Sequence, residues 1–359
     1  TMNISVIDSI TPKLKTIAEN NELATLNWPD LDITLIPSYG GAFSRSISSY
    51  LKFRSMASKR KISSIDLINT DIRLFVPLSK YLMKTKRIPI LKHVYMDPTQ
   101  SNFVSSYFQK QIYNRIDGFI STSPLIKNNL IDIGIDEDKI FYCPPQIDCD
   151  LYRPPQDNDD KPGDEVCNFL YLGYLIDEKL PIITLLDVCS YLRQEGNNFH
   201  LNIHGWGTRE EQRIMVSIKK LIDKRELNDF VSISSKLLPL SEKIELFNQA
   251  NVIFLLYSRF LAVDPPITML EVMSSGKIFM GSNVQSIPSV IQNGYNGILV
   301  DKVDFKTLCD KFTQATEIYD NEHIQKRARA DIKKTYSYPV VSSKLLSIYK
   351  RYGYSELSQ

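Results

Sequence analysis

Two hydrophobic rhythms alternate along this chain. Apolar runs of strand length, rich in Ile, Val, Leu and Phe, are separated by segments whose apolar positions recur at helical spacing. Asn3 to Asp8, Asp32 to Pro37, Ile65 to Asn69, Pro89 to Tyr95, Asp117 to Thr122 and Lys139 to Pro145 read as one series of strands. A second series follows in Asn168 to Leu172, in HLNIHG from His200, in DFVSISSKL, in NVIFLLYSRF, in Lys277 to Met280 and in Ile298 to Val300. Helical segments lie between them, including Lys13 to Asn20, Ala42 to Lys61, LSEKIELFNQA and a last helix from Tyr338 to Tyr352. That last helix carries Val341, Leu345, Ile348 and Tyr352 on one face. Strands alternating with helices predict parallel α/β sheets and argue against a sandwich.

The two series are separated by PPQDNDDKPGDE, Pro154 to Glu165, which has no apolar period and is rich in Pro, Asp and Gly. It reads as a linker. A length of 359 residues suits two domains better than one core.

The stretch from Val263 to Val300 carries the densest local signals. Pro265 and Pro266 suit the start of a helix, Glu271 is its single carboxylate, Gly276 its stop, and a strand follows. Amides just inside such a start, from Ile267 to Met269, can face an anion. A carboxylate one turn further can accept ribose hydroxyls. In isolation the same residues also make an ordinary core helix with a dipole-friendly glutamate.

Other local signals keep a plain reading beside a chemical one. Gly40 and Gly41 after a strand permit close backbone approach to phosphate, and equally an ordinary turn. Lys179 lies in the loop after Gly173 and would serve phosphate or solvent. Asp148-Cys149-Asp150 spells DxD, which alone does not establish a metal site. His200 and His204 share a strand face without a third ligand, so no metal is expected.

Composition narrows the classes. Apolar residues make up 43% and charged residues 23%, as in soluble globular proteins. Five cysteines without CxxC spacing fit a reduced, cytoplasmic setting. No apolar run has the length of a bilayer span, and no secretory leader is read at the start, so a soluble or peripheral protein is expected. The net charge of +2 conceals a split. From Ile33 to Met96 twelve basic residues face only Asp66 and Asp71, giving +10 there and −8 elsewhere. Lys52, Arg54, Lys59, Arg60 and Lys61 flank the apolar stripe of the Ala42 helix. They fit an anionic membrane surface, where about 1 kcal/mol per basic residue is available, or a solvated basic face. No nucleic-acid motif accompanies them. No GxGxxG follows a strand, which disfavours a dinucleotide-dependent oxidoreductase.

Five pieces, in order, resemble the GT-B glycosyltransferases, and more closely the retaining enzymes of glycosyltransferase family 4. They are GGAFSRS, KIFYCPPQIDCDLYRPP, FLYLGYLIDEK, NIHGWGTREE and LEVMSSGKIFMGSNVQSIPSVIQNGYNGILV. The resemblance implies two Rossmann-like domains with parallel sheets facing a central cleft. Residues 1–153 with 338–359 would form the acceptor domain, 154–166 the linker and 167–337 the donor domain. It implies transfer of a sugar from a nucleoside diphosphate sugar to a hydroxyl acceptor, glycan or lipid-linked, without a cofactor or an obligatory metal. Glu271 would bind the ribose. Lys179 with the amides of Ile267 and Thr268, behind Pro266, would hold the diphosphate. Gly40 and Gly41 would approach the donor, and Ser235 and Lys236 would border the base.

Three positions depart from that pattern. Val263 stands where the family has a further glutamate, with Asp264 beside it as a substitute and, with Lys179, a catalytic candidate. Tyr174 replaces an arginine, for which Arg259 is a replacement from a neighbouring loop. His93, the catalytic candidate for the usual histidine, lies earlier in its strand than that residue. These departures leave a second reading open, a catalytically silent nucleotide-sugar binding homologue acting as a partner subunit.

Overall fold

The computed structural model describes residues 2–8, 31–37, 64–67, 89–98, 111–155, 166–176, 179–259 and 263–352. The chain divides into Thr1–Pro144 with Ser343–Gln359, and Pro145–Ser342.

In the first unit six strands form one sheet: β1 Met2–Asp8, β2 Leu31–Pro37, β3 Ser64–Leu67, β4 Ile90–Val94, β5 Gly118–Ser121 and β6 Ile140–Tyr142. Their order is β2-β1-β3-β4-β5-β6, and every pair is parallel. Register is set by pairs such as Ile4 with Ile33, Leu91 with Gly118 and Ile120 with Phe141. The predicted runs match these strands to within a few residues: β1, β2 and β3 begin one residue earlier, and β3 to β6 end sooner. β6 stops at Tyr142 because Pro144 and Pro145 have no N–H to continue a ladder. Helix α1, Pro124–Asp132, follows β5, with Pro124 in its first turn and the Ser123 hydroxyl accepting from the Ile126 amide at 3.1 Å. The predicted helices Lys13 to Asn20 and Ala42 to Lys61 lie outside the described residues.

The second unit repeats the plan. Its strands are β7 Cys167–Leu172, β8 Phe199–Gly205, β9 Val231–Ser235, β10 Val252–Leu255, β11 Ile278–Ser282 and β12 Ile298–Val300. The order is β12-β11-β10-β7-β8-β9, again parallel throughout. Helices α2 Ile182–Gln194, α3 Arg209–Lys224, α4 Leu240–Gln249, α5 Ile267–Ser274, α6 Ile287–Val290, α7 Phe305–Ile318 and α8 Glu322–Tyr336 complete it. Every residue of β10 and β11 is buried, as expected of parallel strands covered on both faces. The centre is aromatic. Phe312 of α7 packs at 4.8 Å from Phe169 and 5.3 Å from Phe254, ring centre to ring centre. Truncating such a ring to alanine costs about 3–5 kcal/mol.

α5 begins after Pro265 and Pro266, as the sequence predicts, and is followed by Gly276 at φ +65°. A side chain there would be strained and would press on Pro154. The NGYNG loop is scaffolding. Asn293 Oδ1 accepts from the Leu299 amide, and Asn296 bonds the Gln292 amide, the Val290 carbonyl and Asp331.

The stretch just before residue 156 is bound into the second unit by Arg329 of α8. Its guanidinium donates to the carbonyls of Cys149 and Tyr152, each at 3.0 Å, and to that of Ser274. The last helix, α9 Tyr338–Arg351, ends in the first unit. There the Tyr352 hydroxyl donates to the Asp117 carbonyl at 2.9 Å and the ring meets Phe141 edge-on. Gly118 lies beneath it, and a Cβ there would displace the Tyr352 hydroxyl. Among the described residues no helix is long and apolar enough to cross a membrane.

Candidate functional site

The strand order of the second unit selects its own binding edge. From β7 the chain moves outward through β8 and β9, then returns to place β10 on the other side of β7. At such a switch point the loops leaving two neighbouring strands part, and a crevice opens beyond their carboxyl ends.

The β7 side is tightly held. Gly173 N–H donates to the His204 carbonyl at 3.1 Å, and the buried Tyr171 hydroxyl donates to the Tyr174 carbonyl at 2.7 Å. Leu175 N–H donates to Glu211 Oε1 at 3.2 Å, while Glu211 Oε2 accepts from the amide and hydroxyl of Thr208 in a capping box at the start of α3. Burial works against ionisation of Glu211, but the backbone N–H groups of Thr208, Leu175 and Trp206 prevail and hold its pKa below the usual range. One carboxylate thus fixes the β7 loop to the β8 loop.

Lys179 reaches across. Its Nζ lies 5.0 Å from the centre of the Tyr174 ring, after β7, and 5.7 Å from that of Tyr257, after β10. Desolvation lowers its pKa. A cation held at such a cost gains from an anion brought beside it.

On the β10 side α5 begins. The Met269 amide closes on the Pro266 carbonyl at 3.1 Å, so it is not available to an anion as the sequence suggested. The amides of Ile267 and Thr268 take no partner among the described residues, and both residues are half-buried. Pro266 is buried behind them.

Asp264 does not meet the expectation of a side chain offered to the donor. It is fully buried, with Oδ1 accepting from the Ser286 amide at 2.7 Å and Oδ2 from the Ser286 hydroxyl at 2.5 Å. That geometry makes it a clip on the loop before α5. Arg259 is exposed on the loop after β10.

Glu271, one turn into α5, is 7% exposed, and its Oε2 accepts from Lys243 Nζ of α4 at 2.6 Å. Lys243 also lies 3.3 Å from the Tyr152 hydroxyl and over the rings of Tyr152 and Phe247 at 5.3 and 5.5 Å. Burial, with the Glu271 charge second, pushes the Tyr152 pKa well up, so its phenol stays protonated.

The β8 and β9 ends form the third side. His204 bridges Ser234 Oγ at 2.6 Å and the Lys236 carbonyl at 3.0 Å, a structural task, and desolvation lowers its pKa. Ser235 Oγ accepts from the Gly207 amide at 2.9 Å. Gly207 stands at φ +76°, and a Cβ would lie 2.8 Å from the backbone of Lys236. Lys236 Nζ pairs with Glu242 at 2.5 Å. Trp206 packs 6.0 Å from Tyr174, ring centre to ring centre.

Tyr174, Lys179, Ser235, Lys236, Arg259, Pro266, Ile267, Thr268 and Glu271 therefore all lie at or beyond strand carboxyl ends of one unit, Ser235 as the last residue of β9 and Glu271 one turn into α5. His93 lies in β4 of the other unit, and Gly40, Gly41, Lys52, Arg54, Lys59, Arg60 and Lys61 lie outside the described residues. The Asp148-Cys149-Asp150 motif is an Asx turn, Asp148 Oδ1 accepting from the amides of Asp150 and Leu151. Among the described residues no group of three His, Cys, Asp or Glu side chains could hold a metal.

Sequence reasoning missed Glu211, Lys243, Tyr152 and Tyr257. For Glu211 a signal existed, the Thr-x-x-Glu capping box. The others become neighbours only in the tertiary structure.

Residues 159–333 match the family model of the glycosyl transferases group 1, a span that includes every candidate from Tyr174 to Glu271. The chain is similar to the sucrose synthase of Melioribacter roseus, 28% identical over 156 residues, which are 40% of this chain and 19% of that protein. It thus spans about a fifth of the curated relative it matches. Among solved structures it resembles Anabaena Alr3699/HepE in complex with UDP and glucose, at TM-score 0.74 and 13% identity, covering 98% of this chain and 100% of that one. It also resembles the sucrose-phosphate synthase of Thermosynechococcus elongatus, at TM-score 0.74 and 15% identity, covering 98% and 99%. The fold is GT-B.

Proposed function

We propose that this chain is a retaining glycosyltransferase that moves a sugar from a nucleoside diphosphate sugar to a hydroxyl acceptor. The observation that carries the reading is Lys179, half-buried between Tyr174 and Tyr257 across the switch point where the amides of Ile267 and Thr268, without a partner among the described residues, open α5. Lys179 and these amides would receive the diphosphate and stabilise it as charge grows on the departing oxygen. Glu271 would take the ribose, and Ser235 and Lys236 would border the base. Catalysis would rest on orientation and on this fixed positive field, without a resident metal. The group 1 family match over residues 159–333 supports sugar transfer. Retention rests on the family 4 resemblance.

The +10 segment from Ile33 to Met96 favours a lipid-linked or polyanionic acceptor, met at the cytoplasmic face of a membrane. Incubation with UDP-, GDP- and ADP-sugars and a lipid-linked acceptor fraction tests the reading. Acceptor-dependent release of nucleoside diphosphate supports it, and donor binding without release over long incubation contradicts it.

That negative outcome is the signature of the second reading, a nucleotide-sugar binding partner subunit without turnover. It is favoured by one observation: Asp264, nearest to the missing glutamate, has both oxygens engaged by Ser286.

A further inference from the structure

A carboxylate that binds a ribose alone offers two acceptor oxygens to two hydroxyl donors. Glu271 differs, because its Oε2 already accepts from Lys243 at 2.6 Å. The pair is a built feature. Lys243 extends from α4 and is packed over the rings of Tyr152 and Phe247, and its Nζ reaches the Tyr152 hydroxyl at 3.3 Å. Tyr152 is itself anchored, its carbonyl accepting from Ser274 Oγ at 2.7 Å and from Arg329 at 3.0 Å. Three elements therefore hold one ammonium against one carboxylate. The side chains are 18% and 9% exposed, so the pair is screened little by solvent.

A ribose hydroxyl both donates and accepts, so a vicinal diol can be read by an acceptor and a donor side by side. An ammonium has three donors, and the contacts above engage one with Glu271 and aim a second at Tyr152. We propose that Lys243 is a ribose-specificity residue. One hydroxyl of the diol donates to Glu271, the other accepts from Lys243, and the ion pair recognises the diol as a unit. The inference rests on the nucleotide-sugar reading, because it names which groups meet the ribose of that ligand. Lys243 also holds Glu271 Oε2 in place through the 2.6 Å contact, which an apolar residue of similar length would not do. Removal of Lys243 leaves an almost buried carboxylate without its counter-charge, so selectivity for the diol falls together with affinity.

The test is calorimetric titration of wild type, Lys243→Met and Lys243→Gln with UDP, GDP and ADP and with the 2′,3′-dideoxy form of each. The wild type is expected to bind at least one nucleotide about tenfold or more tighter than its dideoxy form, a ratio equal to about 1.4 kcal/mol. In Lys243→Met that ratio falls to about twofold or less, because the partner that reads the diol is gone. Lys243→Gln, which retains a donor, recovers part of it and serves if the methionine variant does not fold. Equal weakening of ribo and dideoxy forms in a folded variant overturns the inference and leaves Lys243 a structural residue, with the nucleotide reading intact. Failure of the wild type to bind any of the three nucleotides overturns both.

Discussion

The ammonium nitrogen of Lys179 lies 5.0 Å from the centre of the Tyr174 ring. Tyr174 occupies the place where the family resemblance calls for an arginine, so an aromatic face stands where a second cation was expected. A single side-chain cation with a negative ring face beside it is less repelled than a pair of cations would be. Replacing Lys179 by alanine should weaken binding of a nucleoside diphosphate about 10- to 100-fold, the worth of a charged hydrogen bond. Titration with the matching monophosphate should show a smaller change. Equal losses for both ligands would place Lys179 away from the outer phosphate.

Glu211 holds the two loops that carry Tyr174 and Trp206. Glu211→Gln should cost about 1–2 kcal/mol, the scale of a lost cap and charged hydrogen bonds. Its folded pKa is depressed, so its contribution is present above the ordinary glutamate pKa and is lost as pH falls through the lower folded value. Denaturant titration of wild type and variant across the acid range should show the gap between them closing at low pH.

Lys277 is buried directly after Gly276 and donates to the Asn248 carbonyl at 2.7 Å. Burial pushes its pKa from 10.5 down to about 8. In this window the folded state releases a proton that the unfolded state keeps, so stability rises between pH 8 and 10.5, by about 3 kcal/mol at the limit. Melting temperatures of wild type and Lys277→Met across this range check it. The methionine variant should lack the rise.

Arg329→Ala removes the donors to the carbonyls of Cys149, Tyr152 and Ser274 and should destabilise the second unit by about 2–3 kcal/mol. Tyr152 would lose one of its anchors, so nucleotide affinity should fall with stability. Chemical denaturation beside a nucleotide titration checks both.

What could be read in the sequence follows from where the information lies. Apolar runs place the strands to within a few residues because a parallel strand is buried on both faces along its whole length, as β10 and β11 show. Pro265, Pro266 and Gly276 bracket α5 because their backbone limits are local properties. Tertiary partners are another matter. Lys243 and Glu271 are 28 residues apart, and Arg329 is 177 from the Tyr152 carbonyl it binds. No periodicity announces either contact. Asp264 shows the same limit from the other side, since its position beside Val263 suggested a reactive carboxylate while Ser286, 22 residues on, engages both oxygens.

Titration of the wild type and Glu271→Ala with UDP, GDP and ADP tests the account most directly. Binding of at least one nucleotide to the wild type is predicted, with loss of about 1.5–3 kcal/mol of it in the variant, as for a hydrogen bond to a charged group. A wild type that binds none, or a folded variant that binds as tightly as the wild type, would contradict the placement of a donor nucleotide at this switch point.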